Sequence, residues 1–266
     1  MTTEEAPPPR FPWGTMMLPP SQPPPCPPGW SLGPPDFVGV GVQRCGTTRM
    51  YSLIVTHPEI EDRRPKETHH LDQHWGGGEA DPEVYARCFP RSPGRICGEW
   101  TPRYMIDPWT LARLAAVAPQ TKILVSLRDP VERYVSGLGL AAKLARQGGP
   151  PLNSLTSISH VARSQYLPQL RHLLRHFDRE QILVMQFERA LADPLGELRR
   201  VYAFLGVDPS FEPPDVSIGR QTRRAASVEL APLERSELTA FLRPEVDDLA
   251  AMLPELDLEL WPNFRP

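Results

Sequence analysis

Short apolar runs, each followed by a helical stretch, place the strongest constraint on what this chain can fold into. The clearest run is Lys122–Leu127 (KILVSL), which leads through Arg-Asp-Pro into a helix that ends near residue 145. Similar runs at 36–42 and 181–187 also precede helical stretches. Strands that alternate with helices favour a parallel sheet. We therefore predict an α/β fold in which helices cover both faces of a parallel sheet.

Proline sets the first 35 residues apart from the rest. The chain has 34 prolines in 266 residues, and they crowd stretches such as EEAPPPRFPWG and LPPSQPPPCPPGW. Proline cannot donate to helix or sheet hydrogen bonds, and it favours polyproline II or disorder. We predict a disordered tail over residues 1–35 and one domain over residues 36–266. Two alternatives stay open: the tail binds a proline-reading partner, or it lies over the domain through Phe11, Trp13 and Trp30.

Charge and cysteine content argue against several classes of protein. The net charge is −3 and the pI is near 6.2, so no general basic field indicates nucleic-acid binding. No apolar run reaches the roughly 18 residues of a membrane span, and no signal-peptide pattern opens the sequence. Cys26, Cys45, Cys88 and Cys97 form no CxxC pair and fit reduced thiols. We predict a cytoplasmic protein, while a Cys88–Cys97 bridge stays open.

The turn after the first strand has the frame of a nucleotide phosphate loop but lacks its lysine. Residues 41–48 read GVQRCGTT, with the Gly-x4-Gly spacing of a Walker A loop. Thr47 stands where that loop has lysine, and the nearest cation is Arg44. No apolar strand ends in the aspartate of a magnesium site. A helix start still binds an anion through backbone N–H groups. This P-loop-like turn therefore suits a phosphosulfate, which is less charged than a triphosphate.

Four separated stretches, taken in order, resemble one enzyme family. They are GVQRCGTTRMYSLIVTHP, KETHHLD, GEWTPRYM and LVSLRDPVERYVSG. Together they resemble the sulfotransferases that use 3′-phosphoadenosine-5′-phosphosulfate, most closely a bacterial-type cytosolic member of the heparan sulfate sulfotransferase-like branch. The likeness covers roughly residues 36–224. It implies the sulfotransferase fold, and transfer of a sulfuryl group to an acceptor hydroxyl without a metal ion.

The resemblance implies which residues bind the nucleotide. Arg44 takes the place of the family's loop lysine and is expected to stabilise charge on the leaving phosphate, although arginine does not readily donate a proton. Arg128 and Ser136 are implied to bind the 3′-phosphate. Arg223 and Arg224 lie in a late basic loop that is implied to close over the nucleotide, and a plain basic surface loop is the alternative. The 5′-phosphate is expected at the loop and helix start, at Cys45, Gly46, Thr47, Thr48 and Arg49.

Glu67, in KETHHLD, is the expected general base. Transfer to an alcohol requires removal of the hydroxyl proton as the new S–O bond forms, and a partly buried carboxylate can accept that proton. The resemblance implies that His69 and Asp72 orient the base or the acceptor. The run of His69, His70, Asp72 and His74 could also bind a metal. It lacks an HExxH pattern, and we predict no metal.

Trp100 is the main indication of what the acceptor is. Heparan-type sequences commonly have a lysine after Gly-Glu, whereas Trp100 would offer a stacking surface or an apolar wall. Together with the mildly negative net charge, it favours a sugar, lipid, phenol or small natural product over a heavily sulfated polymer. Basic residues outnumber acids between residues 128 and 179, so a local basic face remains an alternative.

In the helix that follows the Lys122–Leu127 run, we expect Arg133 to pair with Asp129.

Two other functions fit parts of the sequence. A P-loop kinase of a small alcohol would need ATP and Mg²⁺, and the missing lysine opposes it. A non-catalytic nucleotide-binding or scaffold protein would act through the proline-rich tail. The change at Arg44 is compatible with such a degenerate member of an enzyme family.

Overall fold

The computed structural model describes residues 21–72, 79–218 and 228–265. Its strands are β1 (Phe37–Gly41), β2 (Gly98–Trp100), β3 (Lys122–Leu127) and β4 (Ile182–Gln186). The α-helices within these ranges are α1 (Thr47–Ile54), α2 (Pro82–Ala86), α3 (Thr110–Val117), α4 (Pro130–Arg146), α5 (Ser154–Ser164), α6 (Tyr166–Leu173), α7 (Phe187–Ala192), α8 (Pro194–Leu205) and α9 (Pro232–Met252).

The four strands form one parallel sheet in the order β2-β1-β3-β4. Phe37 pairs with Gly98 on one side and with Lys122 on the other, and Ile123 pairs with Ile182. All four carboxyl ends therefore meet at one edge, which is where ligands bind in open parallel sheets. The predicted α/β fold is confirmed.

Consecutive strand residues enter two separate hydrophobic cores. Val38 and Val184 pack in a core that includes residues of α3, α6 and α9. Phe37 and Met185, which neighbour them in sequence, pack in a core with residues of α1 and α8. Successive side chains of a strand point to opposite faces of the sheet. The strands are therefore apolar throughout, and helices cover both faces as predicted.

Proline has different effects on two of the helices. The sequence pattern of residues 157–177 predicts one amphipathic helix, but α5 ends at Ser164 and α6 begins at Tyr166. Pro168 has no N–H to donate to Ser164, and its ring would clash with that carbonyl in a continuous helix. In contrast, Pro244 predicts an interruption between residues 234 and 253, but α9 continues through it, with Leu242 and Val246 buried on either side. None of the helices in the described ranges has both the length and the apolar character needed to cross a membrane.

Residues 21–35 make contact with the domain. The Ser21 N–H donates to the Thr68 carbonyl at 2.9 Å, and Arg63 donates to the Ser21 hydroxyl at 2.9 Å. Ser31 forms an antiparallel bridge with Arg91. The packed part of the chain therefore begins before the predicted boundary at residue 35, as in the alternative of an arm over the domain. Phe11 and Trp13 lie outside the described residues.

Candidate active site

The loop after β1 builds an anion-binding turn at the start of α1. Gly46 caps α1 with φ 78°, a conformation that favours glycine. A Cβ at this position would lie 2.5 Å from the Phe187 ring, so the close approach of α7 also requires glycine. Thr47 is buried and Thr48 is exposed in the first turn of α1, where backbone N–H groups have no partner within the helix. The loop therefore has the geometry expected for a 5′-phosphate site.

Three predicted phosphate-binding residues come together beside this turn. Arg44 Nε donates to Ser136 Oγ on α4 at 3.1 Å. Arg128 Nη1 donates to the Arg44 carbonyl at 3.4 Å, and its guanidinium lies 4.8 Å from the centre of the Phe187 ring. Residues 92 positions apart in sequence thus share one cluster because β1 and β3 are adjacent in the sheet.

This cluster carries positive charge that nearby acids do not balance. Burial lowers the pKa of Arg44, and the charge of Arg128 lowers it further. Arg128 reaches Glu132 only at 4.0 Å. Within the described residues, the buried Nε of Arg128 and Nη1 of Arg133 have no hydrogen-bond partner. Buried polar groups are normally paired, so these unpaired donors favour an anionic ligand.

Arg133 does not form the predicted ion pair with Asp129. Its fully buried guanidinium donates to Ser164 Oγ at 2.7 Å and to the His160 carbonyl at 2.7 Å, and so joins α4 to α5. Asp129 instead caps α4 by accepting from the Val131 and Glu132 N–H groups. The cap competes for the same carboxylate, which explains why the i,i+4 pair fails to form.

The side chains of Cys45 and Arg49 have partners within the protein. The Cys45 side chain is 1% exposed, and its N–H donates to the Val42 carbonyl at 3.2 Å. Burial raises the pKa of the Cys45 thiol to about 12, which opposes an acidified thiol. Arg49 donates to the carbonyls of Ala190 and Val216 at 3.1 and 3.0 Å. Cys45 thus packs in the core, as expected for a small apolar thiol, and the Arg49 side chain braces the loop against two backbone carbonyls, while the part of either residue in binding the 5′-phosphate stays a prediction.

The predicted base lies in a chain of ion pairs. Glu67 Oε2 is 3.2 Å from His69 Nε2, and His69 Nδ1 is 2.9 Å from Asp72 Oδ2. Lys66 Nζ donates to Glu67 Oε1 at 2.5 Å. Arg103 Nε lies 3.7 Å from Asp72. His69 therefore links the expected base to Asp72, and a cation lies at each end: Lys66 beside Glu67 and Arg103 beside Asp72.

Neighbouring charges keep Glu67 and His69 in their ionised forms. Burial alone would raise the pKa of Glu67, but the hydrogen bond from His69 and the charge of Lys66 outweigh burial and lower it. Burial would lower the pKa of His69, but the bonds to Asp72 and Glu67 raise it to about 9. Glu67 is thus held as a carboxylate, the form that a general base needs.

Backbone strain coincides with two of the predicted catalytic residues. Within the described ranges, Arg44 with φ 75° and His69 with φ 50° are the non-glycine residues that have positive φ. Such conformations cost about 1–3 kcal/mol each and cluster at functional sites, where surrounding contacts hold them. The strain supports a functional assignment for both residues independently of the motifs.

Trp100 offers no surface to an acceptor. Its side chain is fully buried, and its Nε1 donates to the Gly41 carbonyl at 3.1 Å. A Cβ at Gly39 would lie 2.1 Å from the indole, so the ring packs directly on β1. The predicted stacking surface or apolar wall is therefore wrong, and Trp100 does not indicate which acceptor binds.

Other predicted residues cannot be placed in the site. Arg223, Arg224 and His74 lie outside the described residues. Among the described residues, no group of three His, Cys, Asp or Glu side chains is arranged to hold a metal. None of the four cysteines is in a disulfide, so Cys88 and Cys97 do not pair.

The sequence interpretation missed two cations beside the Glu67–His69–Asp72 ion pairs and one beside the loop. Lys66 and Arg103 lie inside the quoted motifs KETHHLD and GEWTPRYM, so their position was a usable signal. Arg163 lies on α5, and its Nε donates to Gln43 Oε1 in the loop at 3.0 Å. Nothing in the sequence around Arg163 links it to a loop 120 residues away.

Comparisons with known proteins agree with this geometry. The sulfotransferase domain family matches residues 34–222. A crystal structure of a sulfotransferase from Alicyclobacillus acidocaldarius is 30% identical, with a TM-score of 0.69 over 85% of this chain and 98% of that one. The sulfotransferase domain from the curacin biosynthetic pathway, 15% identical with a TM-score of 0.53 over 84% of this chain and 99% of that one, shares the fold.

A human relative has a named acceptor. Heparan sulfate glucosamine 3-O-sulfotransferase 3B1 of Homo sapiens is 33% identical over 185 residues, which is 65% of this chain and 46% of that protein. The chain spans about half the length of the curated relatives it matches.

Proposed function

We propose that this chain, which belongs to the sulfotransferase family, transfers a sulfuryl group from 3′-phosphoadenosine-5′-phosphosulfate to an acceptor hydroxyl. The observation that carries the proposal is the meeting of Arg44, Arg128 and Ser136 at the edge of the sheet where the base-bearing segment also lies. The segment that carries Glu67 is hydrogen-bonded to the end of β2, because the Trp100 N–H donates to the Lys66 carbonyl at 2.8 Å. An anion site and a general base are the two parts that sulfuryl transfer requires.

The residues of this site fit the nucleotide at both of its phosphates. Arg128, with its unpaired buried Nε, and Ser136 would hold the 3′-phosphate, and the Gly46–Thr48 backbone would hold the 5′-phosphate. The bound nucleotide supplies the sulfuryl group. Glu67 takes the acceptor proton, while His69 and Asp72 hold the carboxylate in place. Arg44 stabilises charge at the leaving oxygen through its fixed cation.

Calorimetric titration with adenosine 3′,5′-bisphosphate in the absence of Mg²⁺ tests the donor. We expect the bisphosphate to bind at least about tenfold more tightly than 5′-AMP, because an arginine–phosphate hydrogen bond contributes roughly 1.5–3 kcal/mol. ATP binding that requires Mg²⁺ would instead indicate the kinase. Bisphosphate binding without turnover of any acceptor would indicate the non-catalytic protein, and deletion of the proline-rich tail would then be tested for loss of a partner.

The acceptor side of the site favours an alcohol that also carries a negative charge. Arg103 Nε lies 3.7 Å from Asp72 Oδ2, and Arg163 Nε donates to Gln43 Oε1 in the loop at 3.0 Å. Burial, together with the charges of Arg133 and Arg103, lowers the pKa of Arg163 to about 10. Guanidinium groups that repel one another are stabilised by a bound anion. With Trp100 buried, these two arginines are the better guide to the acceptor, and a carbohydrate acid fits them.

Arg163→Gln tests this acceptor class. We expect the unmodified protein to sulfate 4-nitrophenyl β-D-glucuronide at least about tenfold better, in kcat/KM, than its uncharged amide, since an arginine–carboxylate bond contributes roughly 1.5–3 kcal/mol. Arg163→Gln should remove that preference by slowing only the charged acceptor. Arg171→Gln, at an exposed arginine of α6, is the control. Equal rates for the two acceptors in the unmodified protein would reject a charged acceptor.

We also propose a cytoplasmic location. The four cysteines are unpaired, and three of them are buried, which fits a reducing compartment.

A further inference from the structure

Glu99 is a buried carboxylate at the centre of five hydrogen bonds. Its side chain on β2 is fully buried. Oε1 accepts from the hydroxyls of Thr68, Tyr85 and Tyr104 at 2.7, 2.6 and 3.1 Å. Oε2 accepts from the Thr68 N–H at 3.0 Å and the Thr101 hydroxyl at 2.6 Å. An isolated buried carboxylate is very costly, and these five donors are what make Glu99 tolerable there.

Two of the five donors belong to Thr68, which stands between Glu67 and His69 in the chain. Its hydroxyl binds one carboxylate oxygen of Glu99 and its N–H binds the other, so Thr68 is fixed in two directions. Glu99 is itself held by the pairing of β2 with β1, in which it lies opposite Val38. Through the Glu99 carboxylate, β2 thus holds Thr68, the residue between Glu67 and His69.

The residues on both sides of Glu67 are hydrogen-bonded to β2. Lys66 Nζ donates to the Trp100 carbonyl at 3.1 Å, next to Glu99 in β2. On the other side, His69 has φ 50° and needs neighbouring contacts to hold that strained conformation. The Thr68 bonds to Glu99 come immediately before it. The base is therefore placed by the sheet, although the segment that carries it has no regular secondary structure.

We propose that Glu99 is a positioning residue that fixes Glu67 and His69 for proton removal by anchoring Thr68. This inference rests on the proposed function, in which Glu67 is the base. Glu99 touches none of the reacting groups, and its effect passes through Thr68.

Two variants that each remove one hydroxyl from Glu99 Oε1 test the proposal. Thr68→Val deletes a donor on the base segment, and Tyr85→Phe deletes a donor outside it. The bond lengths match closely, at 2.7 and 2.6 Å, and phenylalanine keeps the ring that stacks on His70. Glu99→Gln is less useful, because its amide would point N–H donors at groups that also donate.

We expect Thr68→Val to lower kcat about tenfold or more, since a displacement near 1 Å can cost up to about 100-fold. Its Kd for adenosine 3′,5′-bisphosphate should stay within about twofold, because the phosphate site is untouched. Tyr85→Phe should keep kcat within about threefold, and Thr68→Ser, which retains the hydroxyl, should restore it. Equal kcat losses in Thr68→Val and Tyr85→Phe, or unchanged kcat in Thr68→Val, would overturn the proposal.

A second readout does not depend on turnover. The His69 imidazole can be followed by NMR titration and assigned with His69→Gln. Its pKa of about 9 depends on close contact with Glu67 and Asp72. We expect Thr68→Val to shift it toward the ordinary histidine value, and Tyr85→Phe to leave it in place. An unshifted His69 in Thr68→Val rejects the anchor even if no acceptor is found, whereas failed bisphosphate binding rejects the proposed function alone.

Discussion

Glu67→Gln is expected to lower kcat by about 100- to 10,000-fold, the usual contribution of a positioned general base. Glutamine has nearly the same shape as glutamate but cannot accept the hydroxyl proton. Lys66 and His69 hold its pKa below the ordinary value, which keeps the side chain in the carboxylate form that can accept a proton. The measurement is transfer of labelled sulfuryl from donor to acceptor under saturating conditions.

Nucleotide binding separates this effect from misfolding. Glu67→Gln should bind adenosine 3′,5′-bisphosphate with a Kd within about twofold of the unmodified protein, because the loop and α4 are unchanged. Glu83→Gln, at an exposed acid of α2, is the matched control and should leave both quantities unaltered. Turnover that survives in Glu67→Gln would remove Glu67 from the mechanism.

Local pattern was enough to predict the elements that position the site. β3 has the predicted bounds, Lys122–Leu127, because an unbroken apolar run depends on near neighbours. The helix after the loop begins where Gly46 allows the turn. Motif spacing also grouped Glu67 with His69, which contacts it, and with Asp72, which contacts His69.

Contacts between residues that are distant in sequence could not be predicted from local pattern. Trp100 and Glu99 are adjacent in β2, yet one packs on β1 and the other anchors Thr68. Which face of a short strand each side chain takes depends on neighbouring strands and helices. Arg133 was assigned a local partner because its true partners on α5 are far away in sequence. Arg163 reaches the loop only because α5 folds back over α4.

Buried cations around the loop favour binding of an anionic nucleotide. Arg44, Arg128 and Arg133 each lie close enough to disturb another's protonation, and burial lowers the pKa of Arg44 and of Arg133. A folded protein that keeps such groups together without matching acids has stored electrostatic energy that an anion can relieve. This arrangement makes Arg128 the position where one substitution should have the largest effect on donor affinity.

Arg128→Gln is expected to weaken binding of adenosine 3′,5′-bisphosphate about 10- to 100-fold, which corresponds to the roughly 1.5–3 kcal/mol of a charge-assisted hydrogen bond. Binding of 5′-AMP, which has no 3′-phosphate, should change by no more than about twofold. Arg128→Lys should recover only part of the loss, because lysine keeps the charge but cannot reproduce the planar fork or the stacking on Phe187. Arg199→Gln, at an arginine whose side chain is 54% exposed, is the control for lost surface charge. Calorimetry with the two nucleotides measures both quantities in one series. If Arg128→Gln weakened 5′-AMP and the bisphosphate equally, Arg128 would be supporting the loop through the Arg44 carbonyl, and the 3′-phosphate site would have to be sought elsewhere.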